Sequence, residues 1–182
     1  MLNGDENTLV REAVGGSREA FDELVRRYQG PIYNLALRIT GDSDDAMDVT
    51  QATFFKAYDR LESFDASRRF FSWLYRIGVH EALNFRSQRA RNPRVPIDFE
   101  LDSPADDPER ELERKQGDEL VAAAMRRLRP NERALITLRH FQGLGYDEIA
   151  RVLELSVSQV KSRLFDARRR LRDLWSALGG VR

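Results

Sequence analysis

The stretch YDEIARVLELSVSQVKSRLFDARRRL, residues 146–171, decides how this chain is read. Tyr146 to Leu153 has the apolar spacing of a short amphipathic helix. A tight turn follows, and then a longer helix loaded with Lys and Arg. In that second helix Val157, Val160, Leu164, Ala167 and Leu171 recur at three- and four-residue steps and form the inward stripe. Ser156 stands before it and Gln159 three residues on, the pairing of a capping box, which fixes where the helix begins. Two helices, a tight turn and a basic outer face make a helix-turn-helix, whose second helix lies in the major groove of DNA.

The outward face of that helix holds Ser158, Gln159, Lys161, Ser162, Phe165, Asp166, Arg168 and Arg169. Gln, Lys, Arg and Asp side chains all bond base edges, and a ring at Phe165 packs on a thymine methyl. The amides of the helix N-terminus suit a phosphate. Lys161 and Arg168 fit either a base or a phosphate. The plain alternative is a charged, solvated helix on a small bundle. The turn and cap chemistry, with an aromatic on the polar face that has no core role, favours DNA.

Working outward, the remaining composition excludes more than it names. The chain has 182 residues, no cysteine and only two histidines, His80 and His140. That rules out a disulfide framework and a thiolate metal site, and leaves too few ligands for a zinc cluster. No catalytic constellation, metal or cofactor is expected. The N-terminus has no basic segment followed by an apolar run, and no stretch is long and apolar enough to span a membrane. The expectation is a soluble cytoplasmic protein. Net charge is zero, but it is segregated. Residues 1–95 carry 14 Lys/Arg against 14 Asp/Glu, residues 96–113 carry 1 against 8, and residues 114–182 carry 15 against 8. Blocks of this kind belong to modules with different partners, and the basic C-terminal block suits a polyanion.

Helical periodicity runs through most of the chain. Helices are expected from about Glu6 to Val14, from Ser17 to Thr40 with a kink at Pro31, from Asp44 to Leu61, and from Arg69 to Ala90. Residues 92–108 hold four of the six prolines and read as a linker, extended or disordered in isolation. Periodicity resumes at Glu109, and Pro130 opens a helix to Phe141. With no alternating strand pattern, the fold class is all-α: two helical domains joined by an extended acidic linker, the C-terminal one containing the helix-turn-helix. The divisions fall at residues 1–91, 92–112 and 113–182.

Two further stretches carry a family resemblance. DDAMDVTQATFFKAYDRLESFDASRRFFSWLYRIGVHEALNFRSQRAR, from Asp44, resembles the second conserved region of bacterial sigma factors. LRPNERALITLRHFQGLGYDEIARVLELSVSQVKSRLFDARRRLR resembles their fourth. The match covers nearly the whole chain in the family's order, and the short length resembles the extracytoplasmic-function group. The resemblance implies a non-enzymatic subunit that gives RNA polymerase its promoter specificity. It places Asp48 and Gln51, with Phe54 or Phe55, against the polymerase clamp. Asp48, Gln51 and Phe55 also share one helical face by spacing. It assigns the melted minus-ten element to the loop Phe64 to Arg69, with Asp65 and Arg68 inside it, and to His80 and Asn84. Phe64 is the ring expected to stack on an unpaired base, whereas Trp73, Leu74 and Ile77 belong to the core by spacing. Arg86, Arg89 and Arg91 are expected along the DNA backbone.

The resemblance further implies core RNA polymerase, duplex and melted promoter DNA, and an anti-sigma factor as partners. The acidic linker would either mimic nucleic acid in the polymerase or simply tether the domains. The chain departs from the family pattern at His80, where Asn is frequent, at Glu154 in the turn, where Gly is frequent, at Gly145 in place of a Ser cap, and at Asp166 on the reading face. Two rival functions are an autonomous helix-turn-helix regulator and a helical hydrolase or nuclease. The second would need clustered acids or histidines, and Asp44, Asp45 and Asp48 read instead as acids at a helix N-terminus.

Overall fold

The computed structural model describes residues 2–65, 68–91 and 119–180. The expected linker, residues 92–112, and the resumption of helix at Glu109 lie outside the described residues. Among the described residues the chain is helical, without strands. α1 (Leu2–Val14) begins before Glu6 and ends at Gly15-Gly16, where Gly16 takes φ 98° and the Ser17 amide donates back to the Glu12 carbonyl. Ser17 caps α2 (Arg18–Thr40) by accepting from the Ala20 amide at 3.2 Å. Although Pro31 removes one backbone donor, α2 runs on as one helix, and Leu24, Ile32, Leu35 and Ile39 all face the core.

Gly41 closes α2 in the left-handed region, its amide donating to Leu37 at 2.8 Å. Asp42 then caps α3 (Ser43–Asp59), its Oδ1 accepting from the amides of Asp44 and Asp45. α3 buries small residues, Ala46, Val49, Thr53 and Ala57, and a single 3-10 turn (Leu61–Ser63) leads away from it. α4 (Phe70–Arg91) packs across both earlier helices. At Gly78 α4 lies close to both, and a Cβ there would make ordinary contact with Ile32, Leu35 and Thr53 at 3.5–3.7 Å.

In the C-terminal half, α5 covers residues 119–127 and α6 Pro130–Ile136. The chain then widens into a π-helical segment, Thr137–Phe141, closed by the Gln142 amide on the Thr137 carbonyl. α7 (Tyr146–Leu153) and α8 (Val157–Ala177) complete the motif. The expected helix to Phe141 is thus α-helical only to Ile136. The two halves do not stand apart: α6 packs on α2 and α4, α7 packs on α4, and the buried apolar residues form one continuous cluster.

Candidate nucleic-acid interface

The turn between α7 and α8 is set by backbone geometry. Gly145 has no side chain to cap α7, so Glu148 reaches back and accepts the Gly145 amide at 2.9 Å. Glu154 ends the helix with φ 54° and ψ 43°, the left-handed conformation that Gly adopts freely. The Glu side chain therefore leaves the turn backbone as a Gly would have it, rather than altering it. Ser156 Oγ accepts from the Gln159 amide at 3.2 Å, and Gln159 Oε1 accepts from the Ser156 amide at 2.9 Å. Both halves of the expected capping box are present, and α8 starts where the sequence places it.

Along α8, Val160, Leu164 and Ala167 are buried, with Val157 and Leu171 partly so. The opposite face presents Ser158, Lys161, Ser162, Phe165, Asp166 and Arg169 to solvent, Phe165 with 64% of its surface exposed. Five of the eight expected contacts have hydrogen-bond or ion-pair ties within the chain, Ser158 through its Oγ, 2.9 Å from Ser156 Oγ. Gln159 spends its carbonyl oxygen on the cap. Asp166 pairs with Arg169 at 3.3 Å. Arg168 is half-buried and donates from Nε to His140 Nε2 at 3.0 Å. That environment holds the His140 pKa below the usual value, first through desolvation and then through the charges of Arg168 and Arg139.

On α4, His80 and Asn84 are both exposed, one turn apart on one face, and Arg76 shares it. Phe64 is a correction. It is only 6% exposed, its ring 4.9 Å from Trp73 and 5.7 Å from Phe70, edge-on to the latter. The loop residue fills the aromatic cluster at the start of α4, so its ring has no free face for a base. Leu74 and Ile77 are buried as expected, and Trp73 packs half-buried beside them. Asp65 pairs with Arg68 at 3.1 Å, and Arg69 pairs with Glu148 of α7 at 2.8 Å. Ala66 and Ser67 of the loop lie outside the described residues. Arg89 does not run free along the surface: it pairs with the buried Asp45 of α3. The acids at the α3 N-terminus therefore do more than meet the helix dipole. The Arg91 side chain lies outside the described residues.

α3 presents the third face. Asp48 and Gln51 are exposed, and Phe55, 75% exposed, stands in line with them. Phe54 turns inward against the core. Met47 and Tyr58 extend this apolar exposure along the helix. Such exposed apolar surface is unusual on a helix otherwise packed by small residues.

Sequence reasoning missed the links between the halves. Arg76 pairs with Glu154, and Tyr75 donates to Gln142 Oε1 at 2.7 Å. The Arg38 guanidinium lies 3.7 Å from the Phe141 ring centroid. No local pattern signals pairs so far apart in the chain, 67 residues in the nearest case.

The fold and its helix-turn-helix define the class first: an all-α DNA-binding protein of two helical parts. Comparison with known proteins then narrows it. Residues 24–92 match the family model for sigma-70 region 2, and residues 118–171 match that for sigma-70 region 4. The RNA polymerase sigma-H factor of Pseudomonas aeruginosa is 37% identical over 173 residues, 90% of each chain. The ECF RNA polymerase sigma-E factor of Escherichia coli K12 is 35% identical over 173 residues, again 90% of each. Among solved structures, CnrH in complex with the cytosolic domain of CnrY aligns with a TM-score of 0.71 at 30% identity, over 94% of this chain and 97% of that one. The sigma factor RpoE of Bartonella quintana, solved with the anti-sigma factor NepR, shares the fold with a TM-score of 0.67 at 23% identity, over 86% and 96%. The chain belongs to the sigma-70 family, in its extracytoplasmic-function group, and confers promoter specificity on bacterial RNA polymerase in transcription initiation. The autonomous-regulator reading gives way, because the likeness runs through both halves in order. Among the described residues no helix is long and apolar enough to cross a membrane.

Proposed function

We propose that residues 1–91 dock on the polymerase clamp and hold the melted minus-ten element, while residues 113–182 read the minus-thirty-five element as duplex. Residues 92–112 join the two. The docking face is Asp48, Gln51 and Phe55, with Phe54 supporting it from beneath. The minus-ten face is Asp65, Arg68, Arg69, His80 and Asn84. The minus-thirty-five face is Ser158, Lys161, Ser162, Phe165, Asp166 and Arg169, with Gln159 and Arg168 at its edges. The carrying observation is the 75% exposure of Phe55 in line with Asp48 and Gln51, an apolar and polar face that no described part of the chain covers. Bond-making chemistry belongs to the polymerase, and the protein works in the cytoplasm with it. An anti-sigma factor is a further partner, supported by the CnrH likeness, since that protein was solved with CnrY.

Run-off transcription with core polymerase and a library of genomic fragments tests the reading. Promoter-dependent transcripts that appear only when this protein is added are expected. Their absence across the library overturns it.

A further inference from the structure

Most buried polar groups of the packed molecule have partners, and three that do not gather where α6 meets α2 and α4. Arg133 of α6 is 2% exposed, yet its side chain meets no acid among the described residues, and its buried Nε has no hydrogen-bond partner there. Its Nη1 lies 3.3 Å from where a Cβ on Gly41 would stand, at the corner between α2 and α3. Arg126 of α5 passes the same glycine, its Cγ 3.8 Å from that point. Arg86 of α4 is half-buried, and its buried Nε is also without a partner among the described residues. Burial, and then the nearby charge of Arg86, pull the Arg133 pKa down to about 10. Thr137, one turn beyond Arg133, is fully buried with its hydroxyl unpaired.

The acids at this corner are taken or turned to water. Asp45 pairs with Arg89, one turn from Arg86 on α4. Asp42 accepts the amides of Asp44 and Asp45 with its Oδ1, and Asp44 is exposed. The corner is therefore rich in donors and short of acceptors. Burying a cation without a counter-charge is costly, and an anion that accepts from both guanidiniums removes that cost.

We propose that the junction of α2, α4 and α6 is a binding site for a phosphate-class oxyanion, held by the guanidiniums of Arg86 and Arg133 with the Thr137 hydroxyl as a further donor. The chemistry selects the ligand. Two guanidinium forks carried on different helices, with a hydroxyl beside one of them, call for an acceptor with several oxygens at tetrahedral angles. A carboxylate offers two oxygens in one plane, and chloride has no oxygens for a fork to match. Arg126 is exposed and Arg86 only half-buried, so the ion enters from their side, where Arg126 adds a third positive charge. Free orthophosphate and the phosphate group of a nucleotide share this chemistry.

Isothermal titration and thermal unfolding of the full chain test the site. Inorganic phosphate, added at constant pH and ionic strength with chloride as the balancing anion, is expected to bind one to one. It should raise Tm along a curve that saturates in the millimolar range. The general stabilisation of proteins by phosphate does not saturate in this way and does not depend on one side chain. Arg133→Met and Arg86→Met should each weaken binding roughly tenfold or more, and Arg133→Lys, which keeps a charge but loses the fork, should weaken it too. Arg18→Met, exposed at the start of α2, should bind as the parent does. In chloride alone Arg133→Met is expected to be no less stable than the parent, so its lost response is not a lost fold. If it fails to fold, Arg86→Met gives the same decision. Pyrophosphate and a nucleoside triphosphate separate the two sources: tighter binding than orthophosphate points to a phosphate group on a larger molecule, equal or weaker binding to the free ion. No saturable response to any of the three, or an undiminished response in both Met variants, overturns the proposal.

Discussion

Glu154 sits where the backbone demands φ 54°, a conformation that costs an L residue about 1–2 kcal/mol and costs Gly almost nothing. Its side chain is half-exposed and pairs with Arg76 across the halves, a contribution of about 0–1 kcal/mol. The strain exceeds the gain from the pair, so Glu154→Gly is expected to stabilise the chain by about 0.5–1 kcal/mol in thermal unfolding. Glu154→Gln keeps the strain and weakens the pair, and should be neutral or slightly destabilising. A loss of stability in the Gly variant would mean that the pair outweighs the strain. Asp48 is different, because it is exposed on the outer face of α3. Asp48→Arg should lower affinity for core polymerase at least tenfold while leaving the unfolding free energy within about 0.5 kcal/mol of the parent, as surface changes do. Unchanged polymerase affinity would remove α3 from the docking assignment. At this scale the sequence is legible wherever the physics is local. The Ser156–Gln159 cap and the burial of Val160, Leu164 and Ala167 depend only on spacing within one helix. Phe64 was illegible because its fate depends on Phe70 and Trp73, which reach it only once α4 has packed.

At the scale of the element, α8 is a reading helix whose N-terminal end is fixed by its capping box and whose middle is anchored by Arg168 on His140. Lys161 lies between these anchors, exposed, with its Nζ 5.7 Å from the Tyr146 ring centroid. Lys161→Ala is expected to weaken promoter binding by the holoenzyme by roughly 1–3 kcal/mol if the ammonium reads a base edge, with the loss confined to one base pair of the site. A loss spread evenly over sequences, with a salt slope reduced by about one, would make it a phosphate contact instead. No loss at all would take Lys161 off the reading face. The existence and order of the helices are legible from periodicity, but the π-helical segment at Thr137–Phe141 is not. Its wider turn is a choice among hydrogen-bond partners, the Gln142 amide taking the carbonyl five residues back. The same turn carries Phe141 to Arg38 and leads into Gln142, which meets Tyr75. A property of the packed molecule thus decides the backbone of one element.

For the whole molecule, the sequence shows two helical parts separated by an acidic, proline-bearing stretch, and composition alone would leave them independent. Their packing instead buries residues such as Arg133, whose burial has no local signature: a basic residue one turn into a helix ordinarily reads as solvated. In the folded chain burial, and then the charge of Arg86, pull its pKa down to about 10, so it stays protonated at neutral pH without a paired anion among the described residues. The carbonyl end of α2 near Gly41 offsets part of that cost, since a cation at a helix C-terminus gains about 0.3–1 kcal/mol and up to about 2 when partly buried. Desolvation of an unpaired charge still outweighs it, at several kcal/mol. Replacing the guanidinium with an apolar chain of similar reach should therefore favour the packing of the two halves. Arg133→Met is expected to raise stability by about 1–3 kcal/mol in denaturant unfolding. A destabilised Arg133→Met would show that the helix end, not the desolvation, governs this residue, and that its charge holds the halves together rather than driving them apart.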